Sequence, residues 1–391
     1  MKLIRPAILV TPLLLLAACS LLGPPVQPPA EEQVAVAIEP PKPRYAEPVD
    51  THRFEIDAAH DDVVGQVQVT IATKEDTLPD IARRFNLGYE EIVRANPGVD
   101  PWLPGDGREI VLPTQFVLPS GTRSGLVINI AAMRIFYFPP AKEGEKQVVY
   151  THPIGIGKVG WSTPEGKTKV VTKQANPVWI PPASVRAEHK KNGEILPARV
   201  PPGPDNPLGA YKMTLGWPSY LIHGTNKPYG VGLRSSHGCI RLYPEDIEKI
   251  FAMVTPGTTV TVVNQPFVFG WHEGQLYLQA YDVLEDDQRD WSKSQPKLLS
   301  KTLSKRIQGE LTAQKSSVDW KRVADITKDP RGIAVSVSAA DQTIAGLVQT
   351  APRVQNRIPA GANWDGADDP ALQAQTDVKV MVNEQQQAPR S

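Results

Sequence analysis

Two short segments concentrate the side chains that can do chemistry. One is Ile222-His223-Gly224-Thr225-Asn226, and the other, after a glycine-rich loop, is Ser235-Ser236-His237-Gly238-Cys239-Ile240-Arg241. A cysteine attacks as its thiolate, and because an unperturbed thiol has a pKa near ~8.5, such a site needs a cationic partner or a base nearby. His223 and His237 are the candidates. The pattern predicts nucleophilic catalysis by Cys239 with a histidine beside it.

Two other interpretations of these residues compete with this one. An isolated cysteine is commonly a small buried hydrophobic residue, although the flanking His-Gly and Arg241 favour a chemical role for Cys239. His223, His237 and Cys239 could also supply three zinc ligands, but their spacing lacks the usual close pair of ligands. Gly224 and Gly238 permit close backbone approach, and amides around Gly238 can point at a developing oxyanion.

The elements that must position this cluster are mostly strands. Past Gly125 the pattern predicts strands over residues 126–130, 133–138, 147–150 and 169–172, with glycine and proline between the runs. Asn206-Pro207-Leu208-Gly209 forces an irregular connection before the first motif. A mainly β domain is expected.

A smaller βααβ unit precedes this domain. Residues 67–71 form a strand-like run, and Thr77-Leu78-Pro79-Asp80 has the pattern of a capped helix start with an early proline. A second short helix follows Gly88 and ends at Asn96-Pro97-Gly98. Residues 109–113 complete the unit as a closing strand.

The regions at the two ends of the chain have different patterns. Residues 264–340 predict a β-hairpin and then an amphipathic helix with Leu299, Leu303, Ile307 and Leu311 on one face, which together suggest a small α+β appendage. The tail, 341–391, is rich in Gln, Ala and Asp and is expected to be disordered. Residues 20–66 are expected to be a proline-rich linker.

The N-terminus has the features of an export signal. Lys2 and Arg5 precede an apolar stretch of residues 6–18 that ends in Leu16-Ala17-Ala18-Cys19. A membrane-spanning helix needs ~20 apolar residues, so cleavage of a secretory signal is the better interpretation of residues 1–19.

Composition bounds the function further. The 391 residues carry 42 Lys plus Arg and 42 Asp plus Glu, so no net charge steers the chain toward a nucleic acid. Hydrophobic residues make up 41%, which is enough for two or three ordinary domains. Two cysteines exclude a disulfide framework, and 39 prolines predict long irregular connections.

The stretch 124–263 resembles the catalytic domain of the YkuD-type L,D-transpeptidases, in the ErfK/YbiS-like subgroup. The resemblance rests on Asn206-Pro207-Leu208-Gly209, on the two histidine-containing motifs, and on the trailing Pro244-Glu245-Asp246-Ile247. It implies a YkuD-type β-sandwich with no cofactor, in which Cys239 is the nucleophile and His223 the general base.

The resemblance also implies roles for the neighbouring residues. The carbonyl of Gly224 orients the ring of His223, and His237 is assigned to oxyanion geometry or packing beside Gly238. Arg241 holds a substrate carboxylate or else forms a strand-edge salt bridge. Asn226 and Ser236 support the loops, with Asn226 also a candidate for substrate binding.

The reaction that the family implies is acyl transfer. Cys239 attacks the L,D peptide bond of a peptidoglycan tetrapeptide stem and expels D-alanine, leaving a thioester. An amine of another stem, a lysine of a wall protein such as Braun's lipoprotein, or water then resolves it. A catalytically silent peptidoglycan-binding lipoprotein is the rival hypothesis, and the intact Cys239 and His223 favour the enzyme.

Two further resemblances concern the N-terminal half. The unit 67–118 resembles a LysM module, which implies glycan binding near Asp76, Thr77 and Asn96, although Glu75 replaces a usual glycine. A packed spacer is the alternative, and either way deleting the unit is expected to spare the chemistry. Leu16-Ala17-Ala18-Cys19 resembles a lipobox, which implies lipid attachment at Cys19 and a periplasmic enzyme anchored to the outer membrane.

Overall fold

A computed structural model describes residues 45–57, 60–141, 144–291, 303, 305–338 and 342–358. The predicted signal with Cys19, the linker up to residue 44, Leu299 and the tail from residue 359 lie outside this part of the chain. Within it, no helix combines the length and the apolar character that crossing a bilayer requires.

The described chain contains eighteen strands, many of them short. They are β1 (Arg53–Ile56), β2 (Val63–Gly65), β3 (Gln68–Ile71), β4 (Glu109–Leu112), β5 (Gln115–Val117), β6 (Gly125–Asn129), β7 (Arg134–Phe138), β8 (Gln147–Pro153), β9 (Ile156–Gly157), β10 (Gly166–Ala175), β11 (Tyr211–Leu215), β12 (Leu221–His223), β13 (Arg234–Ser236), β14 (Ile240–Arg241), β15 (Thr259–Val263), β16 (Phe267–His272), β17 (Gln275–Ala280) and β18 (Val335–Ser336).

Seven α-helices accompany the strands within these same residues. They are α1 (Leu78–Arg84), α2 (Tyr89–Ala95), α3 (Ala183–Lys191), α4 (Pro244–Met253), α5 (Lys305–Ala313), α6 (Trp320–Lys328) and α7 (Ile344–Thr350), and a single 3-10 turn covers Pro228–Gly230.

A nine-stranded mixed sheet is the centre of the fold, in the order β1-β8-β7-β6-β15-β10-β11-β12-β14. Most neighbours are antiparallel, but β15 pairs in parallel with β6, and β12 pairs in parallel with β14. The expectation of a mainly β fold is confirmed.

Side chains of this sheet alternate between two hydrophobic cores. On β6, Leu126 and Ile128 enter the core that α4 covers, whereas Val127 enters a second core together with α1 and α2. On β7, Phe136 and Phe138 likewise join the second core. Because successive strand residues point to opposite faces, one sheet can pack against both layers.

The βααβ unit consists of β3, α1, α2 and β4, with β3 antiparallel to β4. Thr77 caps α1 by accepting a hydrogen bond from the backbone N–H of Asp80, whose side chain reaches back to Thr77. The apolar face of this helix and its C-terminal end, Leu78, Ile81, Ala82 and Phe85, is at most 2% exposed. The assignment of this unit to the LysM family remains a prediction.

The βααβ unit is joined to the large sheet by buried polar contacts. Arg134 on β7 is fully buried and donates to both carboxylate oxygens of Glu91 at 2.8 and 2.9 Å, and to the carbonyl of Asn86 at 2.7 Å. Arg83 on α1 makes two 2.9 Å hydrogen bonds to Glu245 on α4. Deleting the unit would remove the carboxylate partner of Arg134, so we expect the deletion to lower stability. The expectation that it spares the chemistry stays a prediction.

Residues expected to be linker or disordered tail partly belong to the fold. β1 pairs with β8 and β2 pairs with β5, so residues 45–56 and 60–66 are not linker. In the tail, α7 is followed by a segment in which Val354 is 1% exposed and Arg353 bridges Val69 of β3. Residues 342–358 therefore belong to the fold, because Val354 is buried and the backbone of this segment pairs with the edge of β3.

The residues after the large sheet form a third layer. β16 and β17 make a hairpin whose turn is Glu273-Gly274, both with positive φ, and β18 pairs with β17. The two-residue turn with positive φ at both positions matches the twist of an antiparallel hairpin. α5 and α6 contribute Ile307 and Val323 to the core of this layer.

Candidate active site

The parallel pairing of β12 with β14 brings the two sequence motifs together. Ile222 aligns with Ile240, and both are fully buried, while His223 aligns with Arg241. Since side chains alternate along a strand, Cys239, two residues before Arg241, lies on the same face as Arg241 and His223. Two adjacent strand ends thus place the predicted nucleophile and base on one surface.

The tautomer of His223 is set by the backbone that follows it. Its Nδ1 lies 2.6 Å from the carbonyl oxygen of Gly224, so Nδ1 carries the proton and donates it there. Nε2 is then the unprotonated nitrogen and is free to accept a proton. The predicted role of the Gly224 carbonyl as the orienting group matches this geometry.

The irregular loop before the motif holds Gly224 in place. Asn206 accepts a hydrogen bond from the N–H of Leu208 at 2.9 Å and donates to the carbonyl of Pro177 at 2.8 Å. Gly209, with φ +64°, lies so close that an added Cβ would come within 2.8 Å of the Thr225 nitrogen. Close packing of two backbones therefore requires glycine at this position.

The turn from Ser236 to Cys239 is held by two hydroxyl groups. Ser236 donates to the carbonyl of Cys239 at 2.6 Å, and Thr163 donates to the carbonyl of Gly238 at 3.0 Å. Gly238 has φ +97°, and a Cβ there would come within 2.8 Å of Cε1 of Tyr220. These two hydrogen bonds fix both carbonyls of the turn. The sequence pattern predicted a supporting role for Ser236 but missed Thr163 and Tyr220.

A cleft of about 380 Å³ opens over these residues. His223, His237, Cys239 and Arg241 line it on the strand side. The opposite walls are largely apolar and come from Trp161, from the segment around Trp179 and Ile180, and from Val185 of α3. An apolar cleft with a few convergent polar groups is typical of a binding site for a small substrate.

The predicted nucleophile and base, Cys239 and His223, are both neutral at pH 7. Burial, with a smaller contribution from the charge of Arg241, lowers the pKa of His223 to about 3. Burial raises the pKa of the Cys239 thiol above its ordinary value, and the Leu221 backbone and Arg241 only partly offset this. Of the two kinds of partner that the sequence allowed for, a cation or a base, the neutral His223 is available only as a base.

Arg241 faces the cleft without a carboxylate partner. In the described part of the chain, its Nη1 donates to Ser235 at 3.1 Å, and its Nε is buried without a hydrogen bond. The alternative of a strand-edge salt bridge is therefore not what the structure contains.

His237 is engaged away from the catalytic pair. Its Nε2 lies 2.5 Å from a carboxylate oxygen of Glu188, whose other oxygen is 2.5 Å from Lys158. Trp161 packs edge-on against the ring at 4.8 Å. Sequence patterns did not single out these three partners. The network ties α3, one wall of the cleft, to the residue two positions before the nucleophile.

Several predicted site residues are not brought to the cleft. Asn226 is exposed and lies outside its lining. The three candidate zinc ligands do not converge either. Among the described residues, the His, Cys, Asp and Glu side chains whose ligand atoms come within 4.8 Å of one another are a different trio, His52, His152 and Asp246.

The three candidate glycan-binding residues have structural hydrogen bonds. Asp76 accepts from the backbone and hydroxyl of Thr73 and pairs with Arg84, and Thr77 is the cap of α1. Asn96 is 6% exposed and spans from the carbonyl of Ile92 to both backbone groups of Val111 at 2.8 Å. Their polar atoms serve the fold of the βααβ unit.

Comparison with known proteins agrees with this geometry. Residues 123–262 match the family model of the YkuD L,D-transpeptidase catalytic domain. The chain is also 39% identical over 284 residues to the "Probable L,D-transpeptidase ErfK/SrfK" of Salmonella typhimurium, an alignment that covers 71% of this chain and 88% of that relative. The chain belongs to the YkuD L,D-transpeptidase family.

Other relatives extend the match beyond the catalytic domain. The "Probable L,D-transpeptidase YcfS" of Escherichia coli is 42% identical over 59% of this chain and 72% of its own length. The "Probable L,D-transpeptidase YbiS" of the same species is 38% identical over 71% of this chain and 89% of its own length. The protein is therefore an L,D-transpeptidase, as the motifs around Cys239 predicted, and not a silent binding protein.

Proposed function

We propose that this L,D-transpeptidase works through a thioester on Cys239, formed from the tetrapeptide stem of peptidoglycan. The observation that carries the proposal is the shared face of Cys239 and His223, with Nδ1 of His223 committed to Gly224 at 2.6 Å. His223 Nε2 takes the thiol proton as Sγ attacks the carbonyl of the L,D peptide bond after the third stem residue. This is general-base activation of a nucleophile that is neutral at rest.

The same proton then serves the leaving group. Collapse of the tetrahedral intermediate breaks the peptide C–N bond, and His223 returns the proton to the departing amine of D-alanine. Amides of the turn around Gly238 stabilise the oxyanion, a contribution that is worth several kcal/mol in other acyl-transfer enzymes. The neutral imidazole is restored, and the acyl group remains on Cys239.

An amine completes the transfer by attacking the thioester carbonyl. His223 accepts one proton from the amine, the C–S bond breaks, and the thiol recovers its proton from His223. The acceptor is the side-chain amine of another stem, a lysine of a wall protein such as a Braun-type lipoprotein, or water. The cleft favours a peptide with a carboxylate, because Arg241 presents an unpaired cation opposite apolar walls.

The experiment compares two histidines of the same cleft. Full-length chain is incubated with purified disaccharide tetrapeptide, and the acylated protein and released D-alanine are measured by mass spectrometry. His223→Gln and Cys239→Ser are expected to lose acylation, whereas His237→Gln is expected to keep most of it. Thioester formation that survives in His223→Gln and disappears in His237→Gln would overturn the assignment of the base.

The proposed location is the periplasm, with Cys19 lipidated and the enzyme anchored to the outer membrane. The βααβ unit is proposed to add contact with glycan strands through surface groups other than the buried Asp76 and Asn96. Labelling with a fatty acid and membrane fractionation test the anchor in Cys19→Ala. Lipid attachment at Cys19 would be refuted if the signal of Cys19→Ala were cleaved normally and the variant stayed on the membrane.

A further inference from the structure

A second cluster of chemically able side chains lies away from the cleft. His52 comes just before β1, His152 lies on β8, and Asp246 lies in the first turn of α4. The ligand atoms of the three residues are all within 4.8 Å of one another. They come from three parts of the chain that are far apart in sequence, so local structure does not explain their convergence.

The innermost pair has polar atoms that the fold leaves unused. His152 and Asp246 are each 1% exposed, and among the described residues neither ring nitrogen of His152 nor Oδ1 of Asp246 has a partner with the geometry of a hydrogen bond. Nδ1 of His152 and Oδ1 of Asp246 lie 2.9 Å apart without the alignment of a hydrogen bond. Buried polar atoms without partners are rare in proteins because each is costly.

The third residue is oriented as metal-binding histidines are. Nε2 of His52 lies 3.9 Å from Oδ1 of Asp246. Its Nδ1 lies on the side of Thr51 and Asp50, 3.4 Å from the Thr51 hydroxyl and 3.8 Å from the Asp50 carboxylate. A histidine that ligates a metal commonly directs its other ring nitrogen to a carboxylate. The side chain of His52 is 30% exposed, which leaves a path for an ion and room for a water ligand.

The separations fit a small divalent cation. Zinc bonds nitrogen and carboxylate oxygen at about 2.0 to 2.2 Å in tetrahedral sites, which places neighbouring ligand atoms about 3.3 Å apart. The observed 2.9 and 3.9 Å bracket that value. Lys249 is the competing cation, 4.0 Å from Oδ1 of Asp246, but its side chain is 53% exposed and can turn into solvent.

We propose that His52, His152 and Asp246 bind Zn²⁺, with water as the fourth ligand. Two histidines and one carboxylate with one open position form a common zinc ligand set. The bound ion would connect the strand at the edge of the large sheet to α4, the helix that follows the nucleophile strand.

The test measures zinc directly and does not depend on activity. It uses the full chain carrying Cys239→Ser, so that the active-site thiol contributes no binding, after dialysis against a chelator. Zinc is titrated in competition with a fluorescent indicator, and cobalt is added separately to look for visible absorption of a four-coordinate site. We expect one equivalent of each metal to bind.

Three variants decide between this site and adventitious binding. His52→Ala removes the partly exposed ligand and is expected to fold. Asp246→Asn removes the charge of the buried carboxylate ligand. Changes beside a metal ligand commonly cost 10- to 100-fold in affinity, so loss of a ligand is expected to cost at least about 100-fold. His60→Ala, an exposed histidine outside the cluster, is the matched control and should bind zinc normally.

The opposite results would overturn the proposal. One is zinc affinity in folded His52→Ala within threefold of its parent. Another is a cobalt spectrum that is unchanged by both Asp246→Asn and His52→Ala. A third is zinc binding that is lost equally in His60→Ala. If Asp246→Asn does not fold, His52→Ala alone decides, because its side chain lies at the surface side of the cluster.

Discussion

The neutral resting pair makes a specific prediction about the reactivity of Cys239. Its pKa lies above the ordinary 9.0, and with His223 at about 3 there is no imidazolium at neutral pH to hold a thiolate. A thiol with a pKa of 9 or more is at most about 1% thiolate at pH 7. Each pH unit below the pKa changes the thiolate fraction by about tenfold, so alkylation should accelerate by about 100-fold from pH 6 to pH 8.

The assay is the rate of carbamidomethylation by iodoacetamide, followed by peptide mass mapping of the site. Rates are measured from pH 6 to pH 10 on the full chain. The profile of His223→Gln should nearly overlay that of the parent, because a neutral histidine contributes no charge. Arg241→Gln should alkylate more slowly at each pH, since the Arg241 cation lowers the pKa of the thiol.

One profile would refute this reasoning. A plateau of fast alkylation that begins below pH 7 and disappears in His223→Gln would establish a thiolate–imidazolium pair. The mechanism would then start from the ion pair, and the burial of His223 would not control its charge as argued here.

Three further predictions concern the fold around the site. Gly238→Ala should reduce turnover at least tenfold in a muropeptide assay, because φ +97° strains any other residue by ~1–3 kcal/mol and the new Cβ meets Tyr220; turnover equal to the parent would contradict this. His223→Gln should make the free energy of unfolding in urea less dependent on acid pH. The pKa of His223 is about 3 in the folded protein and 6.5 in the unfolded chain, so its contribution to stability is complete above pH 6.5. That contribution falls as the pH drops toward 3, by about 2 kcal/mol at pH 5. Arg134→Met should lower the free energy of unfolding by about 3 to 5 kcal/mol, because it leaves Glu91 buried without its partner, and an unchanged urea midpoint would show that the pair is dispensable.

The geometry around His223 and Cys239 could be predicted from sequence because its signals are local. In His223-Gly224 the carbonyl of the second residue orients the ring of the first. In Gly238-Cys239 the glycine forms the turn that directly precedes the cysteine. The start of α1 was equally accessible, since Thr77 and Asp80 cap the helix within four residues. In each case the residues that explain the geometry are neighbours in the chain.

The supports of the site could not be predicted in the same way. Glu188 reaches His237 across 49 positions, and Thr163 reaches Gly238 across 75. No periodicity of helix or strand links residues at such separations. The docking of the βααβ unit through Arg134 and Glu91, 43 positions apart, escaped prediction for the same reason.

The tail shows how composition alone misleads. A segment poor in large apolar residues was expected to remain disordered, yet Val354 finds a buried slot and the chain around it finds hydrogen bonds on the edge of β3. Further apolar side chains of this segment, Ile344, Leu347, Val348 and Ala351, pack beside Val69 in a separate small core.

The chain enters and leaves the described fold side by side, and this has a mechanical consequence. Ala46 forms a parallel bridge with Val354, which runs beside Val69, so three segments lie in register. Four backbone hydrogen bonds join them, from Ala46 to Arg353, from Gln355 to Ala46, from Val69 to Pro352 and from Val354 to Val69. A pull on the chain upstream of Tyr45 loads the two backbone hydrogen bonds of Ala46, which precede β1 in the chain. Part of that force therefore passes to the C-terminal segment and through it to β3, and not to β1 alone.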